Sequence, residues 1–133
     1  MEAQEQIWQA QFYLEVRFGL DVLGVYGSEA RGTAKRRSDL DLAGLFGGRP
    51  APEDVLDAAA ELAGRLGRDV DLVDLDRASP ILAMQVLRHG RLLVDRNLRR
   101  RHAFFSRTVS LYEDLKIVRR PIEQALYRRF ASG

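Results

Sequence analysis

Three features of this 133-residue chain predict a small α/β (α+β) domain: a mixed sheet of three to four strands, flanked by helices and followed by a helical C-terminal tail. The spacing of apolar residues switches repeatedly between helical and alternating periods along residues 3–95. Glycine and proline punctuate those switches at Gly27, Gly47, Pro52, Gly67, Pro80 and Gly90. The composition, 46% apolar and 30% charged with a net charge of +2, is too apolar and too nearly neutral for a disordered chain. A chain of this length forms one hydrophobic core and buries roughly two thirds of its unfolded surface.

Residues 3–17 place Ile7, Trp8, Phe12 and Val16 at helical spacing and predict an amphipathic helix. Leu20 to Tyr26 is β-rich and runs into Gly27-Ser28, so a strand leading to a turn is expected. Residues 29–38 are small or basic and read as a loop with room for one helical turn. From Asp39 to Phe46, polar and apolar residues alternate at the start, as in a half-buried strand. Residues 53–66 form a helix with Val55, Leu56, Leu62 and Leu66 on its buried side and Gly67 as the stop. Asp69 to Leu75 alternates again and supplies a third strand. Ser79-Pro80 starts a short helix over Ile81 to His89, with serine as cap and proline in the first turn. Arg91 to Asp95 is a candidate fourth strand. Residues 97–117 and 120–131 read as two helices separated by Pro121.

Several function classes drop out early. Without cysteine there is no disulfide framework and no thiolate zinc site. No apolar run approaches the roughly 18 residues of a membrane span. The first residues lack the basic-then-apolar layout of a signal peptide, so a cytoplasmic protein is expected. Charge is asymmetric: residues 1–76 carry 8 basic and 15 acidic side chains (8 − 15 = −7), and residues 77–133 carry 13 and 4 (13 − 4 = +9). Nearly all the positive charge is arginine, whose planar fork suits phosphate and carboxylate groups.

Chemistry concentrates in Gly27-Ser28-Glu29-Ala30-Arg31-Gly32 and Ser38-Asp39-Leu40-Asp41-Leu42. In a strand, Asp39 and Asp41 share a face about 6.5–7 Å apart along it, while Leu40 and Leu42 point into the core. Two carboxylates on one face repel unless a cation lies between them, and hard divalent ions such as Mg2+ prefer such oxygens. The same pattern also fits a solvent-facing strand with two charges. A strand ending in Gly-Ser offers backbone N–H groups and a hydroxyl to a phosphate, and glycine permits close approach. Asp71 supplies a third acid on a neighbouring strand, with Asp69 and Asp74 as competitors. Together these parts suggest metal-assisted transfer at a nucleoside triphosphate. Other nucleotide motifs fail: Thr33-Ala34 stands where a P-loop needs Lys-Ser/Thr, and the glycines do not make G-x-G-x-x-G. His89 and His102 lack paired metal-ligand spacing and read as surface or packing residues.

Gly27-Ser28-x10-Asp39-x-Asp41 resembles the signature of the DNA polymerase β-like nucleotidyltransferase superfamily. The small size and the stretches GSEARG, SDLDL, VDLVDLDRASPILAMQVLRHGRLL and SLYEDLKIVRR resemble its minimal nucleotidyltransferases (MNT), above all the MNT antitoxins paired with HEPN-family ribonuclease toxins. The resemblance implies a nucleotidyltransferase fold and Mg2+-dependent transfer of AMP from ATP to a tyrosine hydroxyl of a cognate HEPN toxin. It assigns Gly27 and Ser28 to the triphosphate, with Arg31 as a phosphate or structural partner. It assigns Asp39, Asp41 and Asp71 to metal binding and catalysis, Asp71 lying near the attacking hydroxyl. Lys35, Arg36 and Arg37 are candidates for contact with triphosphate or target, or belong to a solvated loop.

On this reading residues 1–95 form the catalytic sheet core, and residues 96–133 form a helical tail with a surface for docking a partner in an oligomeric complex. Leu111, Leu115, Val118, Ile122, Leu126 and Phe130 of the tail are expected to pack mostly on the sheet. Competing readings are an antitoxin that works by binding alone, a transferase for small molecules, and nucleic-acid contact through Arg96, Arg99, Arg100 and Arg101.

Overall fold

The structure is a computed structural model and describes residues 2–32 and 39–131. Along the chain run α1 (Ala3–Phe18), β1 (Leu20–Tyr26), α2 (Gly27–Arg31), β2 (Leu40–Phe46), α3 (Pro52–Leu66), β3 (Val70–Asp74), α4 (Pro80–His89), β4 (Arg91–Asp95) and α5 (Leu98–Ala131). The four strands form one sheet in the order β3-β2-β1-β4. β1 pairs antiparallel with both β2 and β4, and β2 pairs parallel with β3. The expected mixed sheet is therefore present.

Alternation along the strands supplies two apolar faces. Leu23, Val25, Leu40 and Leu42 point to one face, where they pack with Ile7, Ala10 and Leu14 of α1 and Val55, Ala58 and Leu62 of α3. Val22, Ala43 and Leu45 point to the other face, against Ala83 and Val86 of α4 and Phe104 of α5. Local rules hold at the element ends. The Ser79 hydroxyl accepts from Leu82 N at 3.2 Å with Pro80 in the first turn, and Gly67 ends α3 in the left-handed region at φ 67°.

Five expectations need correction. Residues 27–31 are a short helix, so the single helical turn for which residues 29–38 had room begins two residues earlier, at Gly27. In α1 the buried stripe is Ile7, Ala10 and Leu14, while Trp8, Phe12 and Val16 are 61%, 73% and 70% exposed. The small Ala10 lets that side of the helix sit close to the sheet and leaves the bulkier stripe outside. Leu56, expected on the buried side of α3, is exposed for the same kind of reason: Val55, Ala58 and Leu62 hold that side.

The tail departs most. It is one helix of 34 residues with Pro121 inside it. Proline deprives the Ile117 carbonyl of its helical partner, but Ile117 is exposed, so water can satisfy that oxygen and the helix continues. The expected packing on the sheet fails as well. Only Phe104 and Thr108 of α5 are buried, and Leu111, Val118, Ile122, Leu126 and Phe130 are exposed. Length explains this: a helix of 34 residues runs roughly 51 Å, and strands of this size span only roughly 17–23 Å.

Candidate active site

β1 and β2 run antiparallel, so Tyr26 at the end of β1 lies opposite Asp41 near the start of β2. β2 and β3 run parallel, so Asp41 lies beside Asp71. Tyr26, Asp41 and Asp71 thus form a row across three strands on one face at one end of the sheet. This register selects Asp71 as the third acid. Asp74 pairs with Gly44 towards the other end, where its carboxylate accepts from Arg77 at 2.9 Å and from the Asp76 N–H at 3.1 Å. Asp39 stands just before β2 and is exposed. Lys35, Arg36, Arg37 and Ser38 lie outside the described residues.

The turn after β1 closes against these acids. Gly27 has φ 65°, in the region that favours glycine, and a Cβ there would lie 2.2 Å from Asp41 Oδ2. Only a hydrogen atom fits between this turn and that carboxylate. Ser28 follows, half-buried, at the start of α2, where the first N–H groups of a helix have no partner within it. Gly32, at φ 69°, closes the short helix.

Electrostatics mark Asp41 as strained. Burial raises its pKa above the ordinary value, the Asp71 and Asp39 carboxylates raise it further, and Arg68 and Arg31 oppose them. Arg31, exposed at the end of α2, is thus within electrostatic reach of the acids. The Tyr26 hydroxyl donates to Asp71 Oδ2 at 2.9 Å, and burial followed by that bond pushes its phenol well above the usual range.

The donor set suits a hard divalent ion, being carboxylate oxygens placed next to one another, whose mutual repulsion Arg68 and Arg31 offset only in part. Among the described residues no three His, Cys, Asp or Glu side chains are gathered tightly enough to hold a metal on their own. That is the usual situation for Mg2+, which takes one or two carboxylates and completes its shell with substrate phosphates and water. Asp41 and Asp71, side by side with the Asp39 charge felt at Asp41, therefore fit the group in that open form.

Two further residues belong to the site and escaped the sequence reading. Glu29 of α2 and Arg68, just before β3, form an ion pair at 2.8 Å with side chains only 9% and 7% exposed. Arg68 also donates to Gln6 of α1 at 3.1 Å. The cue was the glutamate inside GSEARG, with an arginine just ahead of the Asp69–Asp71 alternation. The basic cluster after β4 has a different use. Arg96 pairs with Glu15 at 2.5 Å and Arg101 with Asp95 at 3.1 Å, while Arg100 pairs with Asp21 at 2.8 Å and with Asp76. Intramolecular carboxylates thus engage Arg96, Arg100 and Arg101, against a nucleic-acid role for them.

The family described as polymerase beta, nucleotidyltransferase matches residues 9–99. The protein adenylyltransferase MntA of Shewanella oneidensis is 36% identical over 109 residues, which cover 77% of this chain and 73% of the relative. Among solved structures, a chain of a toxin–antitoxin crystallised with AMP-PNP matches with a TM-score of 0.80 and 29% identity, over 95% of this chain and 99% of that one. A chain of the tri-AMPylated Shewanella oneidensis HEPN toxin in complex with MNT antitoxin matches with a TM-score of 0.78 and 27% identity, over 93% and 98%. With the match to 9–99 spanning most of its length, and the acids and glycine turn in the geometry just described, the chain belongs to the polymerase beta nucleotidyltransferase family.

Proposed function

We propose that the chain is an MNT antitoxin and a protein adenylyltransferase, which silences a cognate HEPN ribonuclease toxin by moving AMP from ATP to a tyrosine hydroxyl of that toxin. The observation that carries this reading is the row of Asp41 and Asp71 in direct register, with the Gly27 turn pressed against Asp41. Its relatives support it: one is named a protein adenylyltransferase, and a structural neighbour is an antitoxin in complex with an AMPylated toxin.

In the mechanism, the turn at Gly27 and Ser28 holds the triphosphate through backbone N–H groups and the serine hydroxyl, and Arg31 adds positive charge. Asp39, Asp41 and Asp71 would hold Mg2+, which neutralises phosphate charge when bound. Asp71, beside Asp41, faces the incoming hydroxyl and takes its proton. The acceptor oxygen forms its bond to the α-phosphorus as the bond to pyrophosphate breaks. Positioning and charge compensation account for most of such a rate enhancement.

Residues 1–95 act as the catalytic core and residues 96–133 as the tail that docks the partner. No helix among the described residues is long and apolar enough to cross a membrane, and we place the activity in the cytoplasm, where ATP is at hand.

The decisive experiment is the intact mass of the HEPN partner co-produced with this chain or with Asp39→Asn/Asp41→Asn. AMP-sized increments are expected with the wild type alone. A partner that is unmodified in both cases, yet bound and silenced, would reduce the chain to a binding module.

A further inference from the structure

We propose that Tyr26 is a positioning residue for the transfer, acting through Asp71. The proposal rests on nucleotidyl transfer as the activity of the site. Its ground is a feature of this chain's own side chains. The two residues that flank the Gly27-Ser28 turn both reach across to the beginning of β3. Tyr26 donates to Asp71 Oδ2 at 2.9 Å, and Glu29 pairs with Arg68 at 2.8 Å. The turn assigned to the phosphates and the segment that leads into the third acid are thereby tied together at two points, the first of them spanning Asp41.

The first tie does more than hold the strands. A carboxylate at the end of an aspartate side chain rotates about two bonds, and near a strand end little else restrains it. The phenol commits Oδ2, so Asp71 can rotate only by giving up a hydrogen bond to a charged acceptor. Half-buried beside Asp41, the Tyr26 ring is itself kept in place by the sheet and packs against the Val22–Ala43–Leu45 cluster. The hydroxyl thus fixes the acid that must meet the acceptor oxygen, and a misplacement of about 1 Å at such a point costs roughly 100-fold in rate. A phenylalanine would fill the same space and fix nothing.

The test compares Tyr26→Phe, Asp71→Asn and the double variant, all acting on the purified HEPN partner, with transfer read by intact mass. AMP-PNP affinity in the presence of Mg2+ and the melting temperature are measured alongside. Tyr26→Phe is expected to lower kcat about tenfold, the scale of one hydrogen bond to a charged group, while AMP-PNP affinity and melting temperature stay at wild-type values. The double variant is expected to be no slower than Asp71→Asn, because the two residues act as one unit. An unchanged kcat in Tyr26→Phe would overturn the proposal, as would losses that multiply in the double variant or a loss that tracks a lowered melting temperature. AMP attached to Tyr26 itself would overturn it too, since the hydroxyl would then be an acceptor. A wild type that leaves its partner unmodified would bring down the transferase reading and this role with it. An active wild type with an indifferent Tyr26→Phe would bring down this role alone.

Discussion

Asp41 is held where an isolated carboxylate is uncomfortable: partly buried, with Asp71 beside it, Asp39 nearby and the Gly27 turn against one oxygen. Its pKa in the folded chain lies above the ordinary 3.8. The native state therefore keeps a proton that the unfolded chain has already released, and stability falls as pH rises through that window. In buffer containing a chelator, Asp41→Asn is expected to melt a few degrees higher than the wild type at pH 7, with the gap closing towards pH 4. Calorimetry across that range, with AMP transfer assayed in parallel, checks it; a variant that is less stable at pH 7 would contradict the repulsion described here. The acids themselves were legible in the sequence, because i and i+2 in a strand share a face whatever the fold. Which third acid joined them was not, since Asp69, Asp71 and Asp74 are told apart only by the β2–β3 register. The partners of Tyr26 and Glu29 were hidden for a similar reason, as they lie 45 and 39 positions away across strands whose order the sequence does not state.

The elements followed their local rules closely. β1 lies where the β-rich run Leu20–Tyr26 placed it, β4 matches the candidate strand Arg91–Asp95, and Ser79-Pro80 starts α4 as a cap and first-turn proline should. The reading failed where local pattern competes with the size of the fold, as in the outer stripe of α1 and along α5. Beside the buried Phe104 and Thr108, Arg100 secures α5 to the body. It donates to Asp21 at the start of β1 and to the Phe46 carbonyl at the end of β2, both at 2.8 Å, and to Asp76 just after β3. One guanidinium thus joins four segments. Arg100→Ala is expected to lower unfolding free energy by about 2–3 kcal/mol, since it strands a partly buried carboxylate and a carbonyl. Urea unfolding measures this, and AMP-PNP affinity should be unaltered. A loss below about 0.5 kcal/mol would place the bond among ordinary surface pairs.

At the scale of the molecule, a small body carries a helix that it cannot cover. Beyond Lys116 the tail presents Ile117, Val118, Ile122, Leu126, Tyr127 and Phe130 to the outside, with Phe130 81% exposed. Of these, Val118, Ile122, Leu126 and Phe130 recur every four residues and form one exposed apolar stripe, which is a mark of an interaction site and suits the docking role proposed for residues 96–133. Ile122→Glu/Leu126→Glu is expected to leave the melting temperature unchanged and to abolish co-purification with the HEPN partner. A destabilised variant would show that these residues serve the chain's own core.

The two ends of the sheet have been given different tasks. Asp41, Asp71 and the Gly27 turn occupy one end, and the Arg100 bonds to Asp21, Phe46 and Asp76 occupy the other, with a seven-residue β2 between them. At roughly 3.3 Å per residue the five steps from Asp41 to Phe46 span about 16–17 Å, far enough for substitutions at the two ends to add without interfering. A substitution that unsettles the crowded acids at one end can therefore be offset by a stronger tie at the other, so that change at the acid end need not be limited by the stability of the fold.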